Sequence, residues 1–123
     1  MLKIAPLALL IVASPAMAEC AIRGPSLMYL GSNSNYDWTV EMVRNDRCTI
    51  SFHSDNPNIV FTSTDIVTRP AGAIIRSGTF DLAYTAAEKG GTDLFRLKIC
   101  GTDVKGTGCN VHIYHVTIHD QPK

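Results

Sequence analysis

Residues 37–53 read DWTVEMVRNDRCTISFH, and the fold class follows from how the apolar side chains are spaced along them. Trp38, Val40 and Met42 alternate with Asp37, Thr39 and Glu41; Arg44-Asn45-Asp46 interrupts; then Cys48, Ile50 and Phe52 alternate with Thr49, Ser51 and His53. A strand sends successive side chains to opposite faces, so period-two alternation marks a half-buried strand, and the polar triplet marks a turn. The same pattern recurs outward along the chain. Phe80, Leu82 and Tyr84 alternate with Asp81 and Ala83, and Phe95, Leu97 and Ile99 alternate with Arg96 and Lys98. No stretch keeps helical spacing over three turns.

Turn-rich segments separate these runs: Gly31 to Asn35, Ser54 to Asn58, Arg69 to Gly72, Lys89-Gly90-Gly91 and Gly101 to Gly108. Short strands punctuated so regularly predict an all-β sandwich or barrel of seven or eight strands, the first starting near Ser26 and the last ending near Ile118. The closing strand changes parity, with Val111 and Ile113 on one register and Val116 and Ile118 on the other. A bulge near Tyr114 is expected to bring both pairs to the core.

The beginning of the chain belongs to export. Lys3 is followed by an apolar run from Ile4 to Val12, and Ala16-Met17-Ala18 supplies a small-x-small cleavage site, so residues 1–18 read as a signal peptide. Pro6 and Ser14-Pro15 cut the run short of the roughly 20 residues that span a bilayer, so no membrane span is expected. Glu19 stands where a lipoprotein signal needs a small residue before its cysteine, which argues against lipidation of Cys20. Residues 19–123 are then a single domain, and the expected location is periplasmic or secreted.

All four cysteines, Cys20, Cys48, Cys100 and Cys109, fall within that domain. An even number in an exported chain predicts two disulfides, and a domain this small gains from such staples. Cys100 and Cys109 flank the Gly-rich segment between the last two strands, so a hairpin brings them together and leaves Cys20 for Cys48. Each bridge is expected to contribute on the order of 3 kcal/mol by restricting the unfolded chain. Without Lys3, ten of the 11 basic residues face 11 acidic ones, a balance that gives no electrostatic case for nucleic acid.

From Pro70 to Ile118 the chain resembles the bacterial immunoglobulin-like or cadherin-like repeats of secreted adhesins. The residues that carry the resemblance are Pro70 and Gly72 in a P-x-G turn, Tyr84 at the end of the next strand, and Gly91, Asp93 and Phe95 in a G-x-D-x-F pattern leading to the final hairpin. It implies an immunoglobulin-like antiparallel β-sandwich. The chain departs from those repeats in being one domain and in carrying cysteines, and it lacks the clustered acidic motifs of cadherins, so calcium is not implied. The six residues themselves read as turn and core positions.

Three constellations bear on chemistry. His112, His115 and His119 crowd the closing strand and suggest a zinc or copper site as the alternative reading, although His115 and His119 stand roughly 13 Å apart on a straight strand. The segment Gly31 to Tyr36, with Asn33, Asn35 and Tyr36, has the composition of a recognition loop. No G-x-S-x-G, H-E-x-x-H or phosphate loop occurs, and Cys100 and Cys109 lack redox C-x-x-C spacing, so neither an enzyme nor a cofactor is expected. The leading expectation is an exported binding module of the cell envelope that takes a protein or glycan partner.

Overall fold

The computed structural model describes residues 20–122, so the segment expected to direct export lies outside the described residues. Eight strands follow in order: β1 (Ala21–Arg23), β2 (Asn35–Val43), β3 (Arg47–Ser51), β4 (Val60–Thr68), β5 (Ala73–Gly78), β6 (Asp81–Thr85), β7 (Gly91–Asp103) and β8 (Gly106–His119). A single 3-10 turn, Leu30–Ser32, interrupts the connection from β1 to β2. The strands form a sandwich of one five-stranded sheet, β1-β2-β8-β7-β4, and one three-stranded sheet, β3-β6-β5. The opposition of β3-β6-β5 to β8-β7-β4 is the immunoglobulin arrangement. The first strand begins at Ala21, and Ser26, where a strand was expected, lies in the connection that follows; Gly24 and Pro25 stop the strand there.

The sandwich is mixed, not antiparallel throughout. β2 runs parallel to β8 in unbroken register from Asn35↔Val111 to Val43↔His119, whereas every other neighbouring pair is antiparallel. Parallel neighbours need a long connection, and here the whole of β3 to β7 lies between them.

Alternation places the core as the sequence implies. Val40 and Met42 of β2, Cys48 and Ile50 of β3, Leu82 and Tyr84 of β6 and Phe95, Leu97 and Ile99 of β7 are buried between the sheets. In β8 the expected bulge near Tyr114 is absent: β8 pairs residue for residue with β7 from Gly106 to Ile118. Asn110, His112, Tyr114, Val116 and Ile118 face inward, and Val111 and Ile113 are half-buried on the outer face. The segment from Gly101 to Gly108 is mostly strand, turning only at Val104-Lys105, where Gly106 adopts a φ of 113°.

Both disulfides form within the chain. Cys100 and Cys109 are direct cross-strand neighbours in the β7–β8 hairpin, with Cα atoms 4.0 Å apart. Cys20 joins Cys48 and so ties the start of β1, in one sheet, to β3 in the other. The Cys20 sulfur is thereby committed and is not free to carry a lipid. Two intramolecular disulfides place the folded chain in an oxidising, extracytoplasmic environment. No helix among the described residues is long and apolar enough to cross a membrane.

Gly72 of the P-x-G turn and Tyr84 converge on the Asp93 carboxylate of the G-x-D-x-F pattern. Asp93 accepts hydrogen bonds from the Ala71 and Gly72 amides at 2.8 and 2.9 Å and from the Tyr84 hydroxyl at 2.6 Å. Burial opposes its ionisation, yet the hydrogen bonds from Tyr84, Gly72, Ala71 and Leu94 outweigh it and hold the carboxyl below its usual range. Gly72 is obligatory, because a side chain there would run into the Thr85 carbonyl. Asp93→Ala is expected to lower stability by on the order of 2 kcal/mol, since the Ala71, Gly72 and Leu94 amides and the Tyr84 hydroxyl lose a charged acceptor. Thermal unfolding at pH 7 checks it, and an unchanged midpoint would refute this role for Asp93.

Candidate binding cleft

The two flanks of the sandwich are closed differently. On the β4–β5 side, Arg76 of β5 reaches across to the Thr64 hydroxyl at 2.7 Å and to the Thr64 carbonyl of β4, sealing one sheet against the other. On the opposite side the Cys20–Cys48 bridge holds one point, and beside it a cleft of about 340 Å3 remains between β1–β2 and β3. Its walls are Ile22 of β1, Trp38 of β2, Thr49, Ile50 and Ser51 of β3, Phe61 of β4 and Tyr114 of β8, with Phe52 and His53 beyond the end of β3 and Met28 at the mouth. A second hollow of about 180 Å3 adjoins it and shares Met28, His53 and Phe61, with Asn110, His112 and Asp103 on its far side.

The wall is aromatic because inward positions on neighbouring strands carry rings. Tyr84 stacks on Phe95 at 4.9 Å, Phe95 on Tyr114 at 4.7 Å, and Tyr114 on Trp38 at 5.9 Å. His112 lies against Trp38, Tyr36 and Phe52. Gly24 lets the chain cross the Trp38 ring, where any side chain would collide.

Polar groups set into this wall are not all used by the fold. Trp38 Nε1 donates to His112 Nδ1 at 2.9 Å, which fixes the neutral tautomer with its proton on Nε2. His112 Nε2 and the Tyr114 hydroxyl make no hydrogen bond within the described residues. Yet no buried side-chain nitrogen or oxygen among those residues lacks a partner. Both atoms therefore meet the hollows that their side chains line, although the residues are only 3% and 2% exposed. Burial pushes the Tyr114 hydroxyl up and the His112 imidazole down to about 4, so both are neutral donors at pH 7.

The residues singled out from the sequence lie elsewhere or apart. Asn33 follows the 3-10 turn, and Asn35 and Tyr36 open β2. Asn33, at a φ of 54°, accepts from the Cys109 amide at 2.9 Å, and the Tyr36 hydroxyl accepts from the Tyr29 amide at 3.0 Å. Hydrogen bonds from Ser32 and the Tyr29 amide hold the Tyr36 hydroxyl below its ordinary pKa. Asn110 closes the same loop, accepting from the Ser34 amide and donating to the Tyr29 carbonyl. Asn35 is exposed at the start of β2.

The three histidines are divided by the sheet. His112 faces inward, whereas His115 and His119 lie on the outer face, hydrogen-bonded to Asp37 at 2.9 Å and Glu41 at 3.0 Å on β2. No group of three His, Cys, Asp or Glu side chains among the described residues is placed to hold a metal ion. Neither Trp38 nor Tyr114 stood out in the sequence as more than core. The signal that was there is the parity of His112, which shares its register with Tyr114, Val116 and Ile118. No family model, curated protein or solved structure matches the chain.

The depressed pKa of His112 has a direct consequence for stability. An unfolded histidine takes up a proton near pH 6.5, while the folded one resists until about 4. The stability held by the neutral, buried ring is therefore complete above pH 6.5 and is lost as pH falls toward 4. Between pH 7 and 4.5 the loss is about 2 kcal/mol. Urea unfolding of wild type against His112→Phe checks it: the variant is expected to be less stable at pH 7 but to lose less on acidification. Parallel pH profiles would refute it.

Proposed function

We propose that the mature chain is a small exported immunoglobulin-like binding module of the bacterial cell envelope, periplasmic or secreted, whose recognition site is the cleft between β1–β2 and β3. The observation that carries this reading is the Tyr114 hydroxyl, a neutral donor that lines the aromatic wall of this cleft and makes no hydrogen bond within the described residues, with His112 lining the adjoining hollow. A mostly apolar hollow of about 340 Å3 with a few fixed polar groups has the composition of a ligand site. The disulfides and the reading of residues 1–18 support export, and the order of the strands supports kinship of design with the secreted repeats that the second half resembles. The Tyr36 loop is not the site in this reading, because its polar groups are engaged in holding Tyr29 to Ser34 against β8.

Capture from an envelope extract of the source organism tests it. Thr49→Arg and Met28→Arg, both at exposed positions on the mouth, are expected to reduce recovery of the partner about tenfold while leaving the fold intact. Tyr36→Phe is expected to leave recovery unchanged. Loss with Tyr36→Phe but not with the two arginine variants would move the site to the loop and refute the cleft.

A further inference from the structure

The mouth of the cleft is bordered by a strand with an unused edge. β3 pairs with β6 alone, in the register Arg47↔Thr85 to Ser51↔Asp81. The Phe52 amide donates to the Phe80 carbonyl and the Ala86 amide to the Asp46 carbonyl, so the even-numbered residues exchange the hydrogen bonds of this antiparallel pair. Arg47, Thr49 and Ser51 consequently turn their amides and carbonyls away from β6, toward the flank where no strand of the described residues lies. In the immunoglobulin arrangement the sheet containing B, E and D also holds strand A beside B. Among the described residues no strand takes that place beside β3, because β1 and β2 both belong to the other sheet.

The remaining edges are protected in ways that β3 is not. β4 breaks register between Phe61 and Ser63 and between Ile66 and Thr68, and β5 does so between Arg76 and Gly78. β1 is three residues long and runs into Gly24-Pro25. Bulges, shortness and proline are the usual defences of an edge against further pairing. β3 pairs without irregularity over all five residues, and Thr49-Ile50-Ser51 has no proline or charge.

We infer that the cleft takes an extended peptide segment of a partner protein, which adds as a fourth strand to the β3 edge and drops one uncharged apolar side chain between Ile50, Trp38 and Tyr114. This rests on the cleft being the recognition site. Backbone complementarity decides the class of partner: the amides and carbonyls of Arg47, Thr49 and Ser51 are the template that a strand satisfies. Period-two geometry decides its pattern. A residue opposite Ile50 points inward, as Ile50 does, and its neighbours opposite Thr49 and Ser51 point to solvent, so the segment is polar, apolar, polar. The larger hollow has no Asp, Glu, Lys or Arg in its lining, which excludes a charged anchor.

The chain carries one tryptophan, and Trp38 lines the cleft, so its emission reports occupancy directly. The probe is a library of nine-residue peptides with threonine at alternate positions and the positions between them randomised, followed by synthesis of the best binders. Peptides with an apolar central residue are expected to shift Trp38 emission. N-methylation of the peptide amides flanking that residue is expected to weaken binding at least about tenfold, since it removes strand hydrogen bonds without altering the side chain. Thr49→Pro removes an amide that takes no part in the β3–β6 pairing and is expected to do the same with an unchanged thermal midpoint. Should this variant fail to fold, the N-methylated peptides decide alone. Binding that shifts Trp38 yet ignores N-methylation overturns the strand and leaves the cleft standing. Silence from the entire library overturns the strand as well, the cleft then being judged by the arginine variants. A concentration-dependent dimer that Thr49→Pro dissolves assigns the edge to a second copy and overturns the partner peptide.

Discussion

The parallel pairing of β2 with β8 is the constraint on which the rest of the molecule depends. Nine residues of β2, Asn35 to Val43, lie in register against the closing strand and commit the first long strand to the five-stranded sheet. With β2 beside β8, β1 folds back on β2 and not on β3, and the smaller sheet is left with three strands. Three consequences follow from this one placement. Trp38 is set next to Tyr114, its register partner, with its ring toward the interior. Among the described residues no strand fills the flank between β1 and β3. The chain then closes that flank covalently, through Cys20 and Cys48, where the opposite flank is closed by Arg76.

The choice of a disulfide on one side and a guanidinium on the other has a physical logic. Arg76 satisfies carbonyl and hydroxyl acceptors on β4 and fills the gap with its own side chain. A disulfide fixes the separation of two strands, with Cα atoms 5.5 Å apart at Cys20 and Cys48, but fills little space and offers no donors. Holding the flank at one point while leaving the space beside it open is what a rigid, preformed site requires. A preformed site binds without the cost of ordering its own walls. The stacked rings from Tyr84 through Phe95 and Tyr114 to Trp38 supply the stiffness, because each is clamped by the next.

The legibility of this fold in the sequence varied with how strictly a local pattern binds the chain. Strands β2, β3, β6 and β7 were readable because one face of each is buried and a shift of one residue would invert it, so alternation at Trp38, Cys48, Leu82 and Phe95 is a hard requirement. The cysteine pairing was readable because the β7–β8 hairpin is local. The register of β8 was misread because Val111 and Ile113 are apolar yet lie on an outer face where they are only half-buried, and partial cover suffices to keep valine and isoleucine there. The parallel partnership of β2 and β8 joins residues 76 positions apart, and no local periodicity encodes it. The cleft inherits that invisibility. Its aromatic residues look like ordinary core in sequence, and only the vacancy beside β3 turns Trp38 and Tyr114 from packing into wall.

The segment from Gly31 to Tyr36, whose composition suits a recognition loop, is tied by hydrogen bonds to the end of the β7–β8 hairpin. Small polar residues suit adaptable loops, but they also suit tight ones, since asparagine and serine hydrogen-bond to nearby backbone and asparagine tolerates positive φ. Here Asn33, Ser34, Asp103 and Asn110 join the 3-10 turn to the β7–β8 hairpin. Asp103 accepts from the Leu30 and Gly31 amides, and Asn33 accepts from that of Cys109. Burial opposes ionisation of Asp103, and the amides of Lys105, Leu30 and Gly31 overcome it. A segment that spends its acceptors on its own backbone has few left for a ligand. What distinguishes a site from a well-made loop is therefore the presence of donors that face open space and not the protein's own acceptors, and among the described residues these include the Tyr114 hydroxyl, His112 Nε2 and the outward amides of β3.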